Sequence, residues 1–426
     1  MGIEKFFSTV NRNFKVVTTI DLENTDNKSN LIKSKYLYID FNSIIHNVSS
    51  KLIKELNQSN KSNSKYSNVK LEDLEYMIIQ ELNLFIINLL EKIDLESLDL
   101  VYAALDGVPT FGKIIEQKKR RFVGDFIEKL LAKYSLPFNW SKNNISPGTL
   151  FMEKINRYLN NIKLISKGKL LKKEDLILKS SDYNFYNKLK NFDYSDTNSK
   201  GEGEMKIYDL INELKPDTIL FYSPDADVIL LSMISKNSDN INILKYDQNT
   251  EELFLININQ LKDSMYYYCL ERIEGSAYQP KKTKEDIEKL INDIVFIFTI
   301  FGNDFLPKCE SIQTNLDFLF LIDMYLINLI DNGNLIDNAK PNIINKSFLG
   351  FLSLLSVHED RLLFRNSYMN TYYNYNYSNQ KNFMIDLTKL KKNQISKKFG
   401  KNFAEPFYNF ANNLLFYIDP IKIKKI

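Results

Sequence analysis

The sequence predicts an α/β protein: a mostly parallel, twisted sheet flanked by helices, with a helical extension at the C-terminal end. Two patterns carry this expectation. Short apolar runs at Tyr36–Asp40 (YLYID), Leu100–Asp106 (LVYAALD) and Thr218–Asp227 (TILFYSPDAD) read as buried strands that run into aspartate. Around them lie helical periodicities over Leu71–Ile93, Leu150–Ile162, Glu204–Leu214 and Ile287–Phe301. Strand–helix alternation of this kind sets strands parallel, because a parallel neighbour is reached only through a crossover that covers the sheet.

Hydrophobic residues make up 44% of the 426, enough for a large buried core. The expected organisation is a main domain over residues 1–330 and a helical, Tyr- and Asn-rich region over 331–426, with basic clusters at Lys389–Lys398 and at the C-terminal KIKKI. Two polar stretches, Asn57–Asn68 and Ser180–Lys200, read as surface insertions without elements of their own. Charge is nearly balanced, 56 Lys+Arg against 53 Asp+Glu, so bulk charge drives no binding and only local patches count. Two distant cysteines, Cys269 and Cys309, exclude a disulfide framework and suit a reducing compartment, the cytoplasm before the nucleus. The N-terminal MGIEKFF has no apolar leader core, Phe6 stands where a myristoylation signal wants Ser or Thr, and no window reaches the ~18 apolar residues that span a bilayer. With only His46 and His358, a histidine-based hydrolase or zinc centre is hard to build. Metal chemistry here would run on carboxylates, which select hard cations such as magnesium or manganese.

Such carboxylates recur at strand ends. Asp40, Asp106 and the pair Asp225/Asp227 close the three apolar runs, and in an open parallel sheet ligands bind at the carboxyl ends of strands. In extended chain the i, i+2 spacing of Asp225 and Asp227 puts both on one side. Glu202 and Glu204 in KGEGEMKI share that spacing but adjoin a helix, which places Glu202 in the preceding loop or first turn. Asp304 follows a long apolar helix in FGNDFLP. One aspartate at a strand end ordinarily caps a turn or a helix, so the signal is the set in one chain. Gathered together, two such charges ~4 Å apart repel by about 4 kcal/mol at an effective dielectric near 20, and cations or protons must relieve it. Directly after Asp106, Lys113, Gln117 and Arg120 share one helical face, with Arg121 beside it. Such donors suit a terminal phosphate, although a KKRR run is more usually a solvated face.

The motifs MGIEKFF, YIDFNSIIH, LDGVPTFGKIIEQKKRR, NNISPGTLFM, GEGEMKI, SPDADVILL and FGNDFLP, in this order from Met1 to about Asp331, resemble those of XRN-type 5′→3′ exoribonucleases. The resemblance implies a PIN/flap-nuclease-like core and hydrolysis of single-stranded RNA with a 5′-monophosphate to nucleoside 5′-monophosphates. It implies two magnesium ions (manganese as substitute) on Asp40, Asp106, Glu202, Glu204, Asp225, Asp227 and Asp304. It also implies a 5′-phosphate pocket of Lys113, Gln117, Arg120 and Arg121, base stacking by His46, and Asn42 beside the first aspartate. Met205 stands where the family usually has histidine, and Lys308, Cys309 and Glu310 follow FGNDFLP where it tends to Leu-Pro. The aromatic partner of the stacking histidine lies in a later region of the larger members. Tyr368–Tyr377 offers aromatic rings that could replace it, but an unstructured or core-packed segment is the commoner reading of such a stretch. Two rival readings remain: a flap-endonuclease-like DNA nuclease, and an inactive RNA-binding scaffold on the same fold.

Overall fold

A computed structural model describes residues 6–20, 31–59, 73–132, 140–169, 178–247, 252–276, 283–302, 306, 309–339 and 342–375. The chain divides into two compact units, Val16–Leu261 and the pair of segments Met1–Lys15 and Lys262–Ile426.

The Val16–Leu261 unit is built on a sheet of strands β1 (Val17–Ile20), β2 (Tyr36–Asp40), β3 (Leu100–Ala104), β4 (Phe192–Ser195), β5 (Ile219–Tyr222), β6 (Ile241–Tyr246) and β7 (Leu253–Asn257). Their order is β1-β7-β6-β5-β2-β3-β4. The pairs β2–β3, β2–β5, β3–β4 and β5–β6 are parallel, and β7 runs antiparallel to both β6 and β1. Central strands are nearly all apolar because both faces are covered: every residue of β5 is buried, as are Leu37–Asp40 of β2. From β2 the chain moves outward to β3 and β4, then returns to β5 on the other side of β2. That reversal opens a crevice at the carboxyl end of β2, where ligands of doubly wound sheets bind. The register aligns Asp40 with Ala104 and Ile39 with Tyr222, so three chain segments leave the sheet at one level.

Helices α2 (Phe41–Ser59), α3 (Leu74–Leu90), α4 (Phe111–Ala132), α5 (Leu150–Ser166), α6 (Ser180–Tyr186), α7 (Gly203–Leu214) and α8 (Ala226–Ile234) connect these strands. The expected helices over Leu71–Ile93, Leu150–Ile162 and Glu204–Leu214 are α3, α5 and α7, each shifted by no more than a few residues at either end. Thr149 caps α5, its Oγ1 accepting from Met152 N at 3.4 Å.

The stretch 180–200 corrects the reading of it as a structureless insertion, for it contains α6 and the edge strand β4. Tyr186, Leu189 and Phe192 are buried, and Asp182 and Asp193 on either side of them are engaged. Asn83 donates to Asp182 at 2.9 Å and accepts from the Tyr186 hydroxyl at 2.7 Å, while Lys163 pairs with Asp193 at 2.6 Å. Three apolar anchors spread through Asn, Asp and Lys are too sparse to register in composition. Of the other stretch, residues 57–59 end α2 and residues 60–68 lie outside the described residues.

In the second unit lie α1 (Phe6–Phe14), most of α9 (Ile258–Ile273), α10 (Lys284–Gly302), α11 (Phe318–Asn332), α12 (Asn345–Tyr375) and the short β8 (Ile336–Asp337) and β9 (Asn342–Ile343). α10 is the helix expected over Ile287–Phe301, and the described part of the C-terminal region is helical as expected apart from the short β8 and β9. Phe298 and Phe318 stack at 4.4 Å, with Phe6 edge-on at 5.6 Å from Phe298. Buried Asp293 accepts from the Tyr325 hydroxyl, Asn334 Nδ2 and the backbone amides of Leu335 and Ile336, at 2.7–3.0 Å. The expected boundary near residue 330 falls inside α11; the compact units divide at Leu261/Lys262 instead. Packing explains the difference: Arg365 of α12 grips Asp317, which precedes α11, with two bonds of 2.5 and 2.8 Å, so these helices belong together. The basic clusters at 389–398 and at the C-terminal end lie outside the described residues. No helix among the described residues is long and apolar enough to cross a membrane.

Candidate active site

Asp40 ends β2 and is 7% exposed. Ser223, just past β5, donates its hydroxyl to Asp40 Oδ2 at 3.1 Å and accepts from the Asp225 amide at 3.2 Å. A single serine thus ties the ends of neighbouring strands together. Asp106, two residues beyond β3, accepts from Gly203 N at 2.7 Å, and its own amide donates to Asn42 Oδ1 at 3.2 Å. Asn42 lies in the first turn of α2, so its buried side chain fixes the exit of β3 against the exit of β2.

The two glutamates differ as their spacing demands. Glu202 is the N-cap of α7 in extended backbone, and Glu204 sits in the first turn. Glycines on either side of Glu202 have distinct tasks. Gly201 holds φ at +99°, which a side chain rarely tolerates. A Cβ on Gly203 would stand 3.0 Å from Ala104 O and 3.4 Å from Asp106 Oδ1, so its absence lets the amide reach that carboxylate. Gly107 N donates to Gly201 O at 2.9 Å, and Gly201 N donates to Val108 O at 3.0 Å, lacing the two loops together.

Asp225 and Asp227 depart from the extended arrangement expected of them. Asp225 is the N-cap of α8 and Asp227 lies in its first turn. β5 stops at Tyr222, and Pro224, which has no amide to continue the ladder, separates it from the N-cap of α8.

Six expected acids therefore meet at one edge of the sheet, and their electrostatics record it. Burial, followed by the charges of Asp225 and Asp106, pushes the Asp40 carboxyl up to about 8. Burial, with Asp40, Asp225, Glu202 and Asp227 adding repulsion, pushes Glu204 up to about 9. Asp106 is also raised by burial, although the Gly203 amide opposes the rise. The seventh acid, Asp304, lies outside the described residues.

Among the cations, Lys113 of α4 lies 3.0 Å from Glu202 Oε2. Gln117 Oε1 accepts from Arg121 Nη2 at 3.4 Å one turn further on, and the Arg120 side chain lies outside the described part of α4. His46 is exposed on α2, its carbonyl accepting from the Ser50 hydroxyl at 2.6 Å.

Sequence reasoning missed three further residues. Ser223 and Lys206 stood inside quoted motifs without a role. Lys206 Nζ donates to Leu105 O at 2.8 Å and to Asp196 O at 3.0 Å, and burial lowers its pKa. Lys245 on β6 carries no local signal; burial lowers its pKa, opposed by the charges of Asp225 and Asp247.

All six donors are hard carboxylate oxygens, and burial with neighbouring charge disfavours the ionised forms of Asp40, Asp106 and Glu204, the chemistry that a hard divalent cation relieves. Among the described residues, no group of three or more His, Cys, Asp or Glu side chains encloses a metal position. The donor type fits magnesium or manganese. This gives a solution test. Without metal, the folded state keeps protons on Asp40 and Glu204 that the unfolded state loses near pH 4. Stability contributed by those protons is present at low pH and fades as pH rises through 8 to 9. In EDTA the melting temperature is expected to fall between pH 6 and 9, and millimolar magnesium is expected to flatten the slope. A profile in EDTA that is level over this range would contradict the assignment.

Comparison with known proteins bears on the same residues. The family described as "XRN 5'-3' exonuclease N-terminus" matches residues 1–247. A protein of Acanthamoeba polyphaga mimivirus, provisionally named a 5′-3′ exonuclease, is 34% identical over 251 residues, covering 55% of this chain and 37% of its own length. The 5′-3′ exoribonuclease 1 of Schizosaccharomyces pombe is 24% identical, covering 97% of this chain and 31% of its own length. The human 5′-3′ exoribonuclease 1 is 25% identical, covering 80% and 19%. The chain thus spans well under half the length of each of these relatives. A solved structure of the catalytic core of Rad2 with DNA substrate aligns with 94% of this chain and 87% of that one at 10% identity and a TM-score of 0.39, too distant to add to the fold described above. Since the matched residues make up more than half of the chain and include all six clustered acids, the chain belongs to the XRN 5′-3′ exonuclease family.

Proposed function

We propose that this chain hydrolyses single-stranded RNA from its 5′ end, taking strands with a 5′-monophosphate and releasing nucleoside 5′-monophosphates. The observation that carries the proposal is the meeting of six acids at the carboxyl edge of β2, β3 and β5 beside the polar face of α4. Lys113, Gln117, Arg120 and Arg121 hold the terminal phosphate, and His46 stacks on the first base. Two magnesium ions held by Asp40, Asp106, Glu202, Glu204, Asp225 and Asp227 would neutralise developing charge and lower the pKa of a water at the scissile phosphate. The chain's own part is positioning. Asn42 and Gly203 fix Asp106, Ser223 fixes Asp40 relative to Asp225, and Lys206 braces the loop between Leu105 and Asp196. We place the activity in the cytoplasm, where such substrates arise from RNA turnover and the thiols stay reduced.

The test is digestion of RNAs that differ only at the 5′ end, with product size as the readout. Mononucleotides are expected from the monophosphate end, with slow attack on hydroxyl, triphosphate and duplex ends. Arg120→Ala is expected to cut the preference for monophosphate over hydroxyl about tenfold, the worth of one charge-assisted hydrogen bond. Preference for a branched DNA flap, or intact RNA after prolonged incubation with magnesium, would sink the proposal.

A further inference from the structure

We infer that Lys113 couples capture of a terminal phosphate to completion of the cation-binding carboxylate set, by pairing with Glu202 until a phosphate draws it away. This rests on the function proposed above and concerns regulation of the same site. Lys113 Nζ and Glu202 Oε2 are 3.0 Å apart, and the side chains are only 14% and 15% exposed, so solvent screens the pair weakly. Glu202 is therefore held by an ammonium on the atom that a divalent cation would need, and two cations compete for one oxygen. Its charge also reaches Asp106 and Glu204, so Glu202 is electrostatically part of the acid cluster while its carboxylate is engaged elsewhere.

The other end of the pair points the same way. Lys113 opens the face of α4 that continues through Gln117, with Arg121 bonded to Gln117. A terminal phosphate, near −2 at neutral pH, attracts the ammonium more strongly than a single carboxylate does. A phosphate on this face draws Lys113 toward itself and leaves Glu202 uncompensated among other acids, which raises affinity for a divalent cation. Linkage requires the reverse as well: a bound cation on Glu202 frees Lys113 and tightens phosphate binding by the same factor. A strand without the phosphate would leave the cation site under-assembled, so selectivity would act on assembly of the centre as well as on binding.

The test titrates Mn2+, followed by electron paramagnetic resonance, into the full chain with a saturating uncleavable methylphosphonate single strand carrying either a 5′-phosphate or a 5′-hydroxyl. In the wild type the phosphorylated strand is expected to tighten Mn2+ binding about tenfold relative to its hydroxyl twin, within the usual range of coupling between sites. In Lys113→Met, Mn2+ is expected to bind about tenfold more tightly than in the wild type before any strand is added, and the ratio between the twins to fall near one. Glu202→Gln breaks the pair from the other side. It is expected to weaken Mn2+ binding and also to bring the ratio near one, so the outcome does not hang on one variant folding well. A ratio that persists in either variant, or weaker Mn2+ binding in Lys113→Met, overturns the coupling and leaves the pair as a plain tie between α4 and α7. Failure of the underlying function looks different: Asp225→Asn would then leave Mn2+ affinity unchanged.

Discussion

Asp225→Asn is expected to lower turnover of 5′-phosphorylated RNA by about a thousandfold or more while making the metal-free protein more stable. Loss of one cation ligand removes several kcal/mol of transition-state stabilisation, and each 1.36 kcal/mol is about a factor of ten in rate. The same charge raises both Asp40 and Glu204. Its removal relieves repulsion at two buried groups once they ionise, a gain on the order of 1 kcal/mol or more in EDTA at about pH 9. Local structure does not oppose the change. Asp225 makes no side-chain capping bond to α8, asparagine serves equally well as an N-cap, and the bond from the Asp225 amide to Ser223 is untouched. Turnover and EDTA melting curves check the two halves separately. Near-normal turnover, or a lower melting temperature in EDTA, would remove Asp225 from the site.

The second large effect is steric. In Gly107→Ala the added Cβ would sit 1.7 Å from Ser199 O and 2.8 Å from its carbonyl carbon, both backbone atoms that cannot swing aside. The loops laced by Gly107, Val108 and Gly201 must part, and Glu202 and Gly203 move with them. A cost of about 3 kcal/mol or more is expected in denaturant unfolding, with turnover down about a hundredfold, as for a displacement near 1 Å at a reacting centre. Gly124→Ala is the internal control. It lies in α4 with no atom within 4 Å of the added carbon, so unchanged or slightly higher stability is expected. Equal behaviour of the two variants would show that the loops accommodate a methyl at position 107.

The parts legible in the sequence were those with a strong local period or a rare arrangement. Tyr36–Asp40 matched β2 to the residue, because a five-residue apolar run buried on both faces has few other uses. The six acids were legible as a set because their motifs follow in order along the chain. Less legible was anything decided across the sheet. The i, i+2 spacing of Asp225 and Asp227 suited a strand, but Pro224 ends the ladder and Asp225 caps a helix that begins at Ala226. Ser223 and Lys245 acquire meaning only from neighbours on β2 and beside Asp225, contacts that no local pattern encodes. Asn42, expected beside the first aspartate, also accepts from the Asp106 amide, a use that needs β3 to lie beside β2.

The strand β4 carries a practical warning for anyone shortening this chain. It lies outermost on the sheet, paired to β3 through Val101–Ala104. Excising residues 180–200 as dispensable filler would strip the cover from β3 and leave a row of unmet amides and carbonyls along an apolar ribbon. Such a surface invites pairing with the next molecule, so the trimmed protein would be lost to aggregates before its catalysis could be judged.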